Sequence, residues 1–409
     1  MFVLNVLRGM LLVAEVCLAA PVLYLGIVSA SALRAAKSRQ AAYAQSRLSP
    51  LPMTRFAILV PAHDEDVTLG ALLANLAQLD YPRNLYTVYV VADNCTDSTP
   101  DIVRASGVAR VYERFDQARR GKGYALNWLL QKLAEDRLLY DAYVVIDADS
   151  IVDPAFLQAM AIEMGRGTQA MQAHNTVLNA DASPSAALRW IALSLVNHVR
   201  SLGRSGLGAS VALTGNGMCL SHAILQRYPW QAFSVGEDYE YYLALVAHGE
   251  RVQYVPEAVV RSHMPTKFAQ MRTQDIRWEA AQPVRKTWQT AWRLLSSGLR
   301  QRDFVRVEAF MELLVPPLSL LLSFCVLTLL AAIAVWSLPA LLLALALVAG
   351  LACYISTALY LLRPSRSVYK ALLYAPGFML WKLWVYFVLR KNKKHASEWV
   401  RTSRTVSVP

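Results

Sequence analysis

Cysteine is scarce in this chain. Only five of 409 residues are cysteine (Cys17, Cys95, Cys219, Cys325 and Cys353), and none is spaced C-x-x-C. That excludes a disulfide framework and a cysteine-rich zinc site, and it fits a reducing compartment. No internal repeat or low-complexity tract is present, which excludes solenoid architectures. Charge is also thin, 17% of residues against 55% hydrophobic, with a mean hydropathy of +0.30. A soluble domain ordinarily carries more charge and less apolar content. Acids are missing above all from the flanks of the apolar ends. Residues 33–55 hold five Lys/Arg and no acid, and residues 363–409 hold ten Lys/Arg and one Glu. Against a formal net charge of +12, the remainder therefore carries −2. Basic residues beside apolar runs are the mark of cytoplasmic flanks facing anionic lipid. A nucleic-acid-binding protein would instead carry its basic face on the folded domain, so membrane lipids are expected partners and nucleic acid is not. Asn94-Cys95-Thr96 matches a glycosylation sequon, but a cytoplasmic domain is never offered to that machinery.

What is present begins with those apolar ends. Residues 1–33 are nearly all apolar, interrupted by Arg8 and Glu15, and read as a transmembrane anchor. The cluster Arg34, Lys37, Arg39 predicts that its far side is cytoplasmic. A cleaved signal peptide is the rival, but the run is long for such a segment and its amino end is barely charged. Residues 34–54 read as a basic linker and 55–282 as a cytoplasmic domain. Over 283–306, Trp288, Ala291, Trp292, Leu295 and Leu299 recur at helical spacing, with Arg293, Arg300 and Arg302 largely elsewhere. This predicts a helix on the membrane surface, with a soluble amphipathic helix as the alternative. Residues 307–389 read as a C-terminal membrane region. Phe310–Val335 and Leu338–Leu362 are each long enough to span, and Leu372–Leu389, with Pro376, Gly377 and basic residues at both ends, is a third span or a re-entrant helix. Residues 390–409 form a basic tail. The expected location is a plasma membrane of bacterial inner-membrane type, with the domain on its cytoplasmic face.

Within residues 55–282, strand-like and helical stretches alternate. Strands are expected at Phe56–Val60, Tyr86–Ala92, Val108–Tyr112 and Val144–Ile146, with further ones at Thr168–Thr176, Val211–Cys219 and Val252–Val255. Helices are expected at Asp66–Leu79, Thr99–Ala105, Ala125–Ala134 and Ala186–Leu202. This order predicts an α/β domain with βαβ units and a mixed, mostly parallel sheet. The apolar run Val144-Val145-Ile146 ends in Asp147-Ala148-Asp149. Two carboxylates at the carboxyl end of a strand lie where open α/β sheets bind ligands. Their mutual repulsion raises one pKa or calls for a cation, and a hard divalent ion shared with substrate phosphates would relieve it. The alternative is a turn opening the next helix at Asp153-Pro154.

Other clusters accompany the pair: Val60-Pro61-Ala62-His63-Asp64-Glu65, Val90-Val91-Ala92-Asp93-Asn94-Cys95-Thr96-Asp97, Arg119-Arg120-Gly121-Lys122-Gly123, Thr214-Gly215-Asn216-Gly217-Met218, Gly236-Glu237-Asp238-Tyr239-Glu240 and Gln274-Asp275-Ile276-Arg277-Trp278. Asp93 has the chemistry to accept an imide N–H from a pyrimidine. The RGKG turn pairs flexible backbone with cations, as a diphosphate needs, although a solvated basic turn has the same composition. Glycines in the fourth cluster mark a bulge or a close approach to a ligand. The GEDYE acids are either helix-dipole caps or the seat of a general base at Asp238. Gln274, Arg277 and Trp278 share one helix face by spacing.

In this order the clusters resemble the membrane-bound inverting glycosyltransferases of family 2, the group of cellulose, chitin, hyaluronan and poly-N-acetylglucosamine synthases. The likeness runs from Phe56 to Trp278, with QDIRW fitting that family's QxxRW, and continues into the surface helix and the C-terminal spans. It implies a Rossmann-like glycosyltransferase-A domain, a nucleotide-sugar donor (a UDP-sugar by that analogy) and Mg²⁺ or Mn²⁺. It further implies that Glu65, Asp93 and Lys122 contact the nucleotide, that Asp147 faces the diphosphate and Asp149 the metal, and that Asp238 is the base. Gln274, Arg277 and Trp278 would hold the leaving diphosphate and the acceptor end. Asp64 stands where the family usually has Asn, and Asp275 where Arg is common. The expected reaction is sugar transfer to a glycan or lipid-linked acceptor in polysaccharide synthesis, with possible export partners. The alternatives are a non-processive glycolipid synthase and a silent glycan-binding subunit.

Overall fold

The computed structural model describes residues 2–46, 52–264 and 284–391. An eight-stranded sheet forms the centre, in the order β3-β2-β1-β4-β7-β6-β8-β5. Its first half comprises β1 (Phe56–Ala62), β2 (Tyr86–Asp93), β3 (Ala109–Arg114) and β4 (Ala142–Val145), all mutually parallel. β1 lies between β2 and β4, and all its residues but Pro61 are buried. Its side chains alternate between two cores, Ala57 and Leu59 on one face, Phe56, Ile58 and Val60 on the other. Burial on both faces is why parallel strands read as continuous apolar runs. Helices α2 (Leu69–Leu76), α3 (Thr99–Ser106) and α4 (Lys122–Glu135) make the crossovers.

The second half is mixed. β7 (Met218–Ser221) runs antiparallel to β4 and to β6 (Ala170–Val177). β6 is parallel to β8 (Val252–Ser262), which is antiparallel to the edge strand β5 (Ser150–Val152). The strand expected from Val211 is confined to Met218–Ser221, because Gly215 and Gly217 take φ of +76° and +75° and interrupt extended backbone. β5 has only three residues and carries no alternation to betray it. α5 (Phe156–Gly165), α8 (His222–Arg227) and α9 (Glu237–Ala247) complete the domain. The helix expected over Ala186–Leu202 is continuous but composite. α6 (Pro184–Ser194) passes through a π-segment, Leu195–Arg200, into α7 (Ser201–Gly206).

The N-terminal helix α1 spans Phe2–Ser46 and runs well beyond the expected boundary at Leu33. Residues 34–46 carry Ala, Arg, Lys and Gln, which favour helix, and Arg39 anchors them by pairing with Glu163 and Glu257. Residues 34–46 are thus a helical arm packed on the domain, and residues 47–51 of the expected linker lie outside the described residues. A Cβ at Gly203 would lie 2.1 Å from the Val28 carbonyl oxygen, so glycine there lets α7 meet α1 closely.

On the C-terminal side, α10 (Val284–Gln301) exposes Trp288 and Trp292 while burying Ala291 and Leu294. The helix expected over 283–306 therefore exists, ends at Arg302 in a left-handed turn, and gives way to α11 (Phe304–Leu313), capped by the Asp303 carboxylate. The single span expected at Phe310–Val335 is instead broken. α11 and α12 (Leu318–Ala334) are bent by 64° across residues 314–317. Pro316 and Pro317 remove two N–H donors, and each excludes α conformation from the residue before it. α13 (Leu338–Leu362) coincides with the expected second span, reached through Trp336 at φ +48°. Among the described residues, two helices, Phe2–Ser46 and Leu338–Leu362, are long and apolar enough to cross a membrane, or three spans if the bent pair counts as one. After α14 (Arg366–Ala371), α15 (Ala375–Lys391) has 17 residues. At a rise of about 1.5 Å per residue it reaches about 25 Å, short of a bilayer core of about 30 Å.

Candidate active site

The parallel half of the sheet brings the carboxyl ends of β1, β2 and β4 together, and with them the acids expected on one rim. At the end of β1 the chain turns at Asp64, and at the end of β2 at Asn94, each with φ of +53°. Asp64 accepts the Thr96 N–H (2.7 Å), and Asp97 accepts those of Thr99 (2.9 Å) and Asp66 (3.2 Å). Asp64, Cys95 and Asp97 lie close enough to share an ion, with ligand atoms within 4.8 Å of one another. Those carboxylates already accept backbone N–H groups, so the cluster reads as turn scaffolding. Glu65 accepts the Thr68 hydroxyl at 2.8 Å.

Asp93 is buried and paired with Arg114 (2.6 Å), and it also accepts from Asn94 and the Gly121 N–H. Burial raises its pKa although Arg114 pulls the other way. Arg114 in turn holds Asp116 and the Arg119 carbonyl, so the pair anchors the RGKG turn to the sheet. Nothing in the motif order pointed to Arg114.

β4 ends at Val145, before the acid pair, and Asp147–Ser150 forms a turn closed by the Ser150 N–H on the Asp147 carbonyl (3.1 Å). Ala148 is buried while Asp147 and Asp149 stay partly exposed, so the acid pair stands on a turn rather than on a strand. Asp153 accepts the Ala155 N–H (3.3 Å) in the turn before α5, whose N-terminus has no side-chain cap.

Lys122, the first residue of α4, joins four of the motifs. Its Nζ donates to Asp147 and to the Gly215 carbonyl (2.6 Å). Burial opposes its charge, yet Asp147 and Glu237 outweigh that and raise its pKa. A Cβ on Gly215 would sit 2.9 Å from Asp238 Oδ2 and 3.3 Å from Lys122 Nζ, so Asp238 lies in the same cluster. Asp238 is fixed by the N–H of Tyr239 (2.7 Å) at the start of α9. Burial and the negative Asp147 raise its pKa against the pull of Lys122. Gly215→Ala is expected to lower turnover far more than stability. The left-handed φ costs about 1 kcal/mol with a Cβ present, while the methyl displaces Asp238 and Lys122; comparing kcat with the thermal midpoint tests this.

Asn216 is the residue that motif reading passed over in favour of its glycine neighbours. It is buried, its Oδ1 accepts the Asp147 N–H (3.1 Å), and its Nδ2 donates to Ser150 (2.8 Å) and Ser262 (3.0 Å). Gln172 clamps it from below by donating to its carbonyl (2.8 Å). An amide between two glycines, opposite an acid pair, was the available signal. Gln274, Arg277 and Trp278 lie outside the described residues.

Among the described histidines only His63 meets the rim, contacting the Asp93 carbonyl (2.6 Å). His174 and His198 pack against Tyr254, and burial pushes His198 down to about 4 and His174 well below its ordinary value. Both are neutral in the fold. Below about 6.5 the unfolded imidazoles gain protons that His198 refuses until about 4, so stability present above 6.5 is lost progressively as pH falls through that window. His198→Gln is expected to flatten the thermal midpoint over it.

Residues 52–281 match the family model described as "Glycosyltransferase like family 2". The chain belongs to glycosyltransferase family 2. Among curated relatives of this family 2 chain, a beta-monoglucosyldiacylglycerol synthase from Nostoc sp. (strain PCC 7120) is 30% identical over 165 residues, which are 39% of this chain and 34% of that one. A probable glycosyltransferase, YdaM, from Bacillus subtilis is 22% identical over 234 residues, 55% of this chain and 54% of its own. The chain thus spans about a third to a half of the curated relatives it matches. The mannosyltransferase PcManGT from Pyrobaculum calidifontis, solved with GDP-Man and Mn²⁺, superposes with a TM-score of 0.53 at 22% identity, covering 93% of this chain and 99% of that one. That likeness establishes the glycosyltransferase-A-like fold.

Proposed function

We propose that this family 2 enzyme transfers a single sugar from a nucleotide-sugar donor, a UDP-sugar by motif analogy, to the hydroxyl of a membrane lipid at the cytoplasmic face. The observation that carries the chemistry is the convergence of Lys122, Asp147 and Asp238 around Gly215. Asp238 takes the acceptor proton as the acceptor oxygen bonds to the anomeric carbon and the bond to the diphosphate oxygen breaks, which inverts that centre. Lys122 lies where it can meet developing charge on the diphosphate. Glu65 and Asp93 would line the nucleotide, and Gln274, Arg277 and Trp278 would hold the leaving group and the acceptor. Asp149, with the Ser150 hydroxyl 3.4 Å from its carboxylate and Asp147 two residues before it, offers hard oxygen ligands and would hold Mg²⁺ or Mn²⁺. When bound, such an ion supplies charge neutralisation to the departing diphosphate.

A lipid acceptor is supported by the relatives named beta-monoglucosyldiacylglycerol synthases and by the apolar helices packed on the domain. They favour the glycolipid alternative over polysaccharide synthesis with export partners. Polymerisation is the second reading, because the same motif order occurs in chain-elongating synthases. Mass spectrometry of products from a panel of UDP-sugars, with diacylglycerol offered to purified full-length protein, separates them. One sugar per lipid is expected; a ladder of lengths would indicate a polymerase. Donor turnover unchanged in Asp149→Ala would remove the metal assignment.

A further inference from the structure

The site's base helix, α9, is attached to the membrane-side helices by a buried charge ladder that the transfer chemistry does not use. Arg200 and Arg204 lie one turn apart on the composite helix, and Glu308 and Glu312 lie one turn apart on α11. All four are buried. Arg204 grips Glu308 with two bonds (2.7 and 2.8 Å), and Arg200 donates to Glu312 (3.0 Å). Two cations facing two anions at matched spacing admit one register, since a slip of one turn strands a charge at each end of the ladder. α9 joins it at two points. The Tyr239 hydroxyl donates to Glu312 Oε2 (3.2 Å), and the Tyr242 hydroxyl accepts from Arg204 (2.9 Å).

Tyr239 therefore faces two ways. Its backbone N–H orients the Asp238 carboxylate, and its hydroxyl reports the position of α11, which leads through the Pro316-Pro317 bend into the apolar helix α12. We propose that Glu312, braced by Arg200 and acting through Tyr239, is a positioning residue that sets where the Asp238 carboxylate stands relative to the membrane-side helices, and so aligns it with an acceptor hydroxyl presented from the lipid. This rests on the reading of Asp238 as base. The residues proposed for the donor, Glu65 and Asp93, stand at the strand ends and make none of the ladder's bonds, so the contact is expected to govern acceptor attack and not donor binding.

The experiment uses full-length protein in detergent with Tyr239→Phe, which removes one hydroxyl and keeps the ring. Three quantities are read: transfer to lipid, hydrolysis of the UDP-sugar by water, and donor KM. Misplacing a reacting group by about 1 Å can cost up to 10²-fold, so transfer is expected to fall about 10- to 100-fold while hydrolysis and donor KM stay within about threefold. Glu312→Gln, which loses the charge on Arg200, is expected to shift the transfer-to-hydrolysis ratio the same way. Unchanged transfer in Tyr239→Phe overturns the proposal. So does a parallel fall of transfer and hydrolysis with a lowered thermal midpoint, which marks a structural role only. Asp238→Asn run alongside separates the failures. An active Asp238→Asn removes the base reading itself, whereas an inactive one beside an unaffected Tyr239→Phe removes only the positioning role.

Discussion

Asp238→Asn is expected to lower glycosyl transfer by about 10²- to 10⁴-fold, the range a positioned general base contributes. The amide keeps the volume and an oxygen for the Tyr239 N–H but cannot take the acceptor proton. Donor KM is expected to change little, because the proposed nucleotide contacts, Glu65 and Asp93, stand at the ends of β1 and β2. Glu237 is the control. It is buried, and burial together with the adjacent Asp238 pushes its pKa up to about 8. Near neutrality it is largely protonated, and it is Asp238 Oδ2, not Glu237, that faces Gly215 beside Lys122. Glu237→Gln mimics that neutral form and is expected to retain transfer within about threefold, where each factor of ten corresponds to about 1.4 kcal/mol. The sign for stability follows. With the folded value above the ordinary 4.5, the stability Glu237 contributes is complete below 4.5 and is lost as pH rises through about 8. Glu237→Gln is expected to abolish that loss. Initial rates with a fixed lipid acceptor, together with thermal midpoints across the same pH range, check both variants. Comparable losses in the two variants would contradict the assignment of roles.

The second large effect is one of stability. Glu308→Ala is expected to cost about 3 kcal/mol, because it leaves the fully buried Arg204 guanidinium with only the more distant Glu312, at 3.8 Å, as counter-charge. The Tyr24 hydroxyl, which donates to Glu308 at 2.6 Å, loses its acceptor as well. Desolvating both charges already offsets most of their attraction, so the intact pair adds little stability by itself. Arg204→Met combined with Glu308→Leu is accordingly expected to recover most of the loss. Thermal unfolding of the two variants in one detergent measures the difference. If the double variant were as unstable as the single one, the ladder would be a net source of stability rather than of register.

The strands β1, β2 and β4 were legible from sequence because burial on both faces demands unbroken apolar runs, and the acids at their ends were legible because such runs stop abruptly. β5 and the true extent of β7 were not. A three-residue edge strand has no period to detect, and the TGNGM glycines resemble strand interior until their positive φ values are known. The broken helix at Pro316-Pro317 was written in the sequence, but apolar content masked it when hydropathy alone set the span. The helical arm beyond Leu33 was hidden for the opposite reason, since its polar composition imitates a linker until Arg39 meets Glu163 and Glu257.

For the rim cluster, residue types and order were sufficient to nominate Asp147, Asp149, Lys122 and Asp238, because their chemistry is local. By itself the sequence determined the family, the alternation of the α/β domain, and the apolar helices at both ends, all of which are properties of short windows and of their order. Only the tertiary structure decided that Lys122 reaches from α4 to Asp147 and Gly215, and that Asn216 holds the acid-pair turn. It alone decided that Arg200 and Arg204 face Glu308 and Glu312 across more than a hundred residues of chain. Those contacts depend on how elements distant in sequence are juxtaposed, and no local period encodes a pairing between charges that meet only after the helices have packed.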